Sequence, residues 1–95
     1  MLRGKTALIT GSTSGIGQGI AEAFAAKGCN IVLNGFGDPG EIELLRAKLA
    51  ADHGVTVRYD GADMSKGSAI TAMMDKAIAE FGAIDILVNN AGIQH

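Results

Sequence analysis

Ninety-five residues, 47% apolar and 19% charged with a net charge of -2, allow one small globular domain and not two. This composition excludes a disordered chain, and Lys and Arg residues scattered singly offer nucleic acid or an anionic membrane no basic face. The single cysteine, Cys29, cannot form an internal disulfide, and no apolar run approaches a signal-peptide core or a membrane span, so a cytoplasmic, non-membrane protein is expected.

Lys5 to Thr10 predicts the first strand, and its continuous apolar centre (Ala7, Leu8, Ile9) suits burial on both faces of a parallel sheet. The stretch Thr10-Gly11-Ser12-Thr13-Ser14-Gly15-Ile16-Gly17 then separates this strand from a helical pattern. Of its three glycines, one lets the chain reverse, one removes a side chain that would block a phosphate, and one lets helix and strand pack closely. Free N–H groups at the helix start, together with the positive end of its dipole, make an anion site suited to a pyrophosphate. The spacing is G-x-x-x-G-x-G, one residue longer than the G-x-G-x-x-G dinucleotide fingerprint.

The first helix is expected over Ser14 to Lys27, with Ile16, Ile20 and Phe24 inward and alanines beside them for close packing on the sheet, Gln18, Glu22 and Lys27 outward, and Gly28 just past its end. Asn30 to Asn34 predicts a second buried strand, left through Gly35-Phe36-Gly37. Asp38-Pro39-Gly40-Glu41 carries two helix-start signals, an Asp N-cap with Glu three residues on and Pro at the first helical position. That helix should reach Asp52 with Ile42, Leu45 and Leu49 inward. Val55, Val57 and Tyr59 alternate with polar residues as in a half-buried or edge strand. After Asp60-Gly61-Ala62-Asp63, Ser65 is expected to cap a third helix that buries Ile70, Met73, Met74, Ala77, Ile78 and Phe81 and closes at Gly82. Ile84 to Val88 predicts the fourth strand, and Asn89-Asn90-Ala91-Gly92 its exit.

The order βαβαβαβ, with connections long enough for right-handed crossovers, implies an α/β fold with a Rossmann-type doubly wound parallel sheet in strand order 3-2-1-4. Its ligand crevice lies at the carboxyl ends of the strands where strands 1 and 4 meet. Gly11 to Gly17 and Asn90 to Gln94 both fall there. The first two helices cover one sheet face and only the third covers the other, which predicts an exposed apolar strip on that side.

These residues resemble the short-chain dehydrogenase/reductase family, whose cofactor loop Thr10-Gly11-x-x-x-Gly15-x-Gly17 is similar to, and whose fourth-strand motif Asn89-Asn90-Ala91-Gly92 looks like. Asn34-Gly35-Phe36-Gly37, Tyr59-Asp60-Gly61-Ala62-Asp63 and Gly92-Ile93-Gln94-His95 narrow the likeness to the bacterial members that act on D-3-hydroxybutyrate. The resemblance implies an oxidoreductase moving hydride between D-3-hydroxybutyrate and NAD to give acetoacetate, in a homotetramer. It assigns the cofactor to Gly11, Thr13, Ser14, Gly15, Ile16, Gly17, Phe36, Ala62, Asp63, Met64, Asn90, Ala91 and Gly92. Asp63 would take the adenine amino group between Ala62 and Met64, Thr10 and Asn90 would tie strands 1 and 4 beside the nicotinamide, and Gln94 would hold the substrate carboxylate. From the residues alone, Asp63 reads as helix-entry chemistry ahead of Ser65 and Gln94 as a solvated loop residue.

The sequence departs from the general NAD pattern at the end of strand 2, where Gly35 stands in place of an acidic residue and Asp38 is already used as an N-cap. No cation stands at Phe36 or Ser14 to receive a 2′-phosphate, which favours NAD over NADP. The family's catalytic serine and Tyr-x-x-x-Lys lie downstream of the Asn-Asn-Ala-Gly motif; Tyr59 has no lysine four residues later, so no catalytic residue is assigned. His53 and His95 lack a neighbouring ligand cluster, so no metal site is assigned. Residues 1–95 are thus expected to be the amino-terminal NAD-binding part of one domain, cut after strand 4. The alternatives are a short-chain reductase of another keto or hydroxy substrate and a non-catalytic dinucleotide-binding module.

Overall fold

The computed structural model describes residues 2–91. Seven elements alternate: β1 (Thr6–Ile9), α1 (Gly15–Ala26), β2 (Asn30–Asn34), α2 (Pro39–His53), β3 (Val57–Asp60), α3 (Gly67–Phe81) and β4 (Ile86–Val88). The four strands are parallel and ordered β3-β2-β1-β4, as the doubly wound reading requires. Leu8 at the centre of β1 lies opposite Val32 on one side and Leu87 on the other.

Successive strand residues point to opposite faces, and the right-handed crossovers send the helices to matching sides. Ala7, Ile9, Ile31, Leu33 and Val57 pack with Ala21 and Ala25 of α1 and Leu49 of α2. Leu8 and Val32 face the other way and pack with Met73 and Ala77 of α3. Because one helix cannot span four strands, Leu87 on this second face stays 56% exposed.

Several boundaries and faces differ from expectation for physical reasons. Ile16 is 72% exposed rather than inward, whereas Ile20 and Phe24 pack half-buried against the core beside the fully buried line of Gly17, Ala21 and Ala25, small residues that bring helix and sheet close. Ile78 is likewise exposed, while Met73 and Ala77 take the inward positions of α3. Ser65 does not cap α3: its hydroxyl donates to Asp63 Oδ1 at 2.7 Å, and Lys66 holds the N-cap position without a side-chain bond. The β4 ladder begins at Ile86, two residues later than expected, because the Asp85 carboxylate accepts the Thr6 N–H at 2.9 Å in place of a backbone carbonyl. β3 begins later too, at Val57, and runs on to Asp60. Elsewhere the punctuation holds: the Asp38 carboxylate accepts the Glu41 N–H at 3.0 Å, and Gly54 and Gly82 end α2 and α3 in left-handed conformations.

Candidate nucleotide-binding crevice

The turn between β1 and α1 is built by glycines with separate tasks. Gly11 and Gly15 take φ of +62° and +59°, a region that disfavours side chains. A Cβ on Gly15 would meet nothing within 4 Å, so its backbone conformation rather than space calls for glycine there. A Cβ on Gly17 would lie 2.1 Å from the Gly11 carbonyl oxygen and 2.6 Å from Asn90 Nδ2, so that glycine serves close packing.

Ser14 stands at the N-cap of α1 in extended backbone, yet its side chain makes no cap bond and the first turn holds no acidic residue. The donors of that turn, with the positive end of the helix dipole, are left for a ligand. No charge within the first turn competes with an anion.

Buried polar side chains fix the turn. Ser12 Oγ donates to the Ile9 carbonyl at 2.7 Å and accepts the Asn34 N–H at 3.0 Å, while the Ser12 N–H donates to the Asn34 carbonyl at 2.6 Å. On the β4 side, Asn90 Nδ2 donates to the Gly11 carbonyl at 3.1 Å and the Ala91 N–H donates to Thr10 Oγ1 at 3.0 Å. Thr10, Ser12, Asn34 and Asn90 are all buried, and among the described residues no buried side-chain nitrogen or oxygen lacks a partner. Such satisfied networks hold a loop in one geometry.

These elements enclose a cavity of about 460 Å³ at the carboxyl edge of the sheet, walled by Gly11, Thr13, Ser14, Phe36, Ala62, Asp63, Met64 and Ala91 together with Asn34, Gly35 and Ser65. Eight of the residues singled out in the sequence therefore share one cavity. Gly15, Ile16, Gly17 and Asn90 do not line it; Gly17 and Asn90 are packed beneath the turn, and Ile16 stands outward. Gly92 and Gln94 lie outside the described residues.

Asp63 is the cavity's one charged wall residue, and it also does the helix-entry work read from its position. Its Oδ1 accepts both the hydroxyl and the N–H of Ser65, and these bonds, aided by Lys66, hold its carboxyl below the ordinary aspartate range. Among the described residues no hydrogen bond engages Oδ2. A carboxylate flanked by Ala62 and Met64 suits an amino-bearing ring, and the open start of α1 suits phosphate. A dinucleotide fits this donor set.

Beyond Thr13, Ser14 and Phe36 a second cavity of about 330 Å³ opens, with Gln18, Asp38 and Glu41 on its wall and no Lys or Arg. Gly35 adjoins the boundary with φ of +150°, and a Cβ there would lie 2.4 Å from Thr13 Oγ1. That oxygen is engaged, donating to the Phe36 carbonyl at 2.9 Å. No side chain, acidic or otherwise, fits at position 35 without moving Thr13. Tyr59, absent from any acid–base assignment, uses its hydroxyl on the Gly35 carbonyl at 2.5 Å.

Sequence reasoning missed Ser12 and Asn34, which read as a turn residue and a strand-bounding polar residue. Apart from the local bond of Ser12 to Ile9, the bonds of these side chains span 22 to 28 positions, and no local pattern signals such bonds.

The short chain dehydrogenase family profile matches residues 5–95. The chain is similar to D-beta-hydroxybutyrate dehydrogenase of Cupriavidus necator (60% identity over 100% of this chain and 36% of that protein). It is also similar to the D-beta-hydroxybutyrate dehydrogenase of Rhizobium meliloti (54% identity over 95% of this chain and 35% of that protein). The chain thus spans about a third of the length of these curated relatives. Among solved structures, L-sorbose reductase of Gluconobacter frateurii, complexed with NADPH and L-sorbose, superposes with a TM-score of 0.88 at 39% identity, over 98% of this chain and 35% of that one.

Proposed function

The chain belongs to the short-chain dehydrogenase family, and from that premise we propose that the protein oxidises D-3-hydroxybutyrate to acetoacetate with NAD as hydride acceptor. The observation that carries the cofactor part is the uncapped start of α1, whose N-cap Ser14 and preceding Gly11 and Thr13 wall a cavity that has Asp63 on its far side. The substrate part rests on similarity to the two hydroxybutyrate dehydrogenases.

In this reading the N–H groups of the Gly11–Gly17 turn bind the pyrophosphate. Asp63 accepts a hydrogen bond from the adenine amino group, with Ala62 and Met64 against the ring. NAD, when bound, supplies the carbon that accepts hydride from C3 of the substrate. Asn90 and Thr10, through their bonds to Gly11 and Ala91, keep β1 and β4 together beside the nicotinamide. Gln94 donates to the substrate carboxylate. The family's serine and Tyr-x-x-x-Lys supply proton transfer from outside these 95 residues, in a cytoplasmic homotetramer.

NAD is preferred to NADP because a 2′-phosphate entering the second cavity would meet Asp38 and Glu41 with no cation to balance it. The NADPH of the L-sorbose reductase structure belongs to that protein.

The test is NADH formation followed by absorbance, with D- and L-3-hydroxybutyrate and with NAD and NADP. The expected result is turnover of the D-enantiomer, with kcat/KM for NAD at least about tenfold above NADP. Equal use of both cofactors would sink the cofactor assignment. Turnover only of another hydroxy substrate would sink the substrate assignment, and cofactor binding without any turnover would favour the non-catalytic module.

A further inference from the structure

The last residue of β2 carries a buried amide that the cofactor reading leaves without a task. Asn34 is 1% exposed. Its Nδ2 donates to the carbonyls of Asp60 and Ala62, each at 3.0 Å, and its Oδ1 accepts the Gly11 N–H at 3.4 Å. The side chain therefore bonds to the turn after β1 and to the turn after β3 at once.

The sheet order explains why such a link is needed. β2 lies between β1 and β3, so Gly11 and Ala62 stand past the ends of strands that do not touch. No ladder bond can join the two turns directly. The phosphate side of the cavity, at Gly11 and Ser14, is thus tied to its adenine side, at Ala62 and Asp63, through the amide at the end of β2.

We propose that Asn34 is a positioning residue for the nucleotide, setting the separation between the phosphate-side and adenine-side walls of the crevice; this rests on the nucleotide reading above. Its donors face two carbonyl oxygens, so the isosteric carboxylate is no substitute: it sets an acceptor against two acceptors. The strands themselves are paired through the β1–β2 and β2–β3 registers. Loss of the amide therefore loosens the walls while leaving the sheet paired.

The experiment titrates AMP and NADH into the wild-type protein, Asn34→Asp and Leu49→Ala, and measures kcat at saturating NAD and thermal stability for each. AMP reports on the adenosine half alone. Asn34→Asp should raise the Kd for both probes on the order of tenfold, with kcat at saturation within about twofold of wild type. Leu49→Ala, which removes a side chain buried in the core, should lower the melting temperature and leave both Kd values unchanged. If Asn34→Asp does not fold, Asn34→Ser reads the same ratio without adding a buried charge. An AMP affinity unchanged in the folded Asn34 variant, or lowered equally in Leu49→Ala, overturns the positioning role. Wild-type protein that binds neither AMP nor NADH overturns the nucleotide reading, and the role of Asn34 with it.

Discussion

The starts of α1 and α2 are two helix N-termini on the same side of the sheet, and they meet the same physical requirement in opposite ways. Each presents backbone donors and the positive end of a dipole. At α2 the chain satisfies them itself: the Asp38 carboxylate takes the Glu41 N–H, Pro39 removes one donor, and Glu41 places an acid in the first turn. At α1 nothing does so, since Ser14 makes no side-chain cap and glycines occupy the first and third helical positions. A self-satisfied helix start stabilises the fold, whereas an unsatisfied one held rigid by its neighbours is available to an anionic ligand. The start of α1 borders both cavities and the start of α2 only the second, and the difference in charge decides which one suits phosphate.

The sharpest way to break the contrast is Gly17→Ala. The new methyl group would fall 2.1 Å from a backbone oxygen, which cannot rotate away, and would displace the Asn90 bond to Gly11. Overpacking of this kind costs about 1–3 kcal/mol and occasionally more, and an immovable backbone neighbour puts this site at the upper end. Since the turn at Gly11 is what moves, NADH affinity should fall on the order of 100-fold. Calorimetric titration checks it; retention of wild-type affinity would show that the turn geometry does not govern binding.

Ser14→Asp is the next test, because it makes the start of α1 resemble that of α2. An Asp cap is worth about 1 kcal/mol to a helix, so the melting temperature should rise or hold. The same carboxylate occupies the anion site, so NADH affinity should fall by about tenfold or more. Opposite signs for stability and binding are the signature. Ser14→Asn, which caps without charge, should keep most of the stabilisation and lose less affinity. If both properties move together in Ser14→Asp, the open helix start is not the phosphate site.

The contrast also marks where sequence reading succeeds. Asp38-Pro39-Gly40-Glu41 and Gly11 to Gly17 are local patterns, each acting within one turn of chain, and both hold in the structure. Strand order was legible for a similar reason, since continuous apolar runs with helical crossovers permit few arrangements. The inward face of α1 was legible only in part. Residues 16, 20 and 24 and residues 17, 21 and 25 are adjacent stripes on one helix, and hydrophobicity favours the larger side chains of the first. Close approach to the sheet puts the smaller Gly17, Ala21 and Ala25 innermost, while Ile20 and Phe24 pack half-buried against the core and Ile16 turns out to solvent. Asn34 failed to register because its partners at Asp60 and Ala62 become neighbours only once β3 has paired with β2. Gly35 looked like the loss of an acidic ribose ligand. In the structure it is the one residue that clears Thr13 Oγ1.

Asp38→Ala carries the smallest expected effect and tests the other terminus. Removing the cap should cost about 1 kcal/mol of stability, seen as a lower denaturant midpoint at constant slope. It should leave NADH affinity within about twofold of wild type, because Asp38 lines only the second cavity. NADPH affinity should improve severalfold, since one of the two acids facing an entering 2′-phosphate is gone while Glu41 remains. That improvement should shrink as salt is raised from about 0.05 to 0.5 M, because both acids are exposed and their field is screened over a few ångströms. A gain for NADPH that persists at high salt would mean that Asp38 excludes the phosphate by occupying space rather than by charge. No gain at any salt would remove the acidic second cavity as the source of NAD preference and return that role to the walls at Thr13, Ser14 and Phe36.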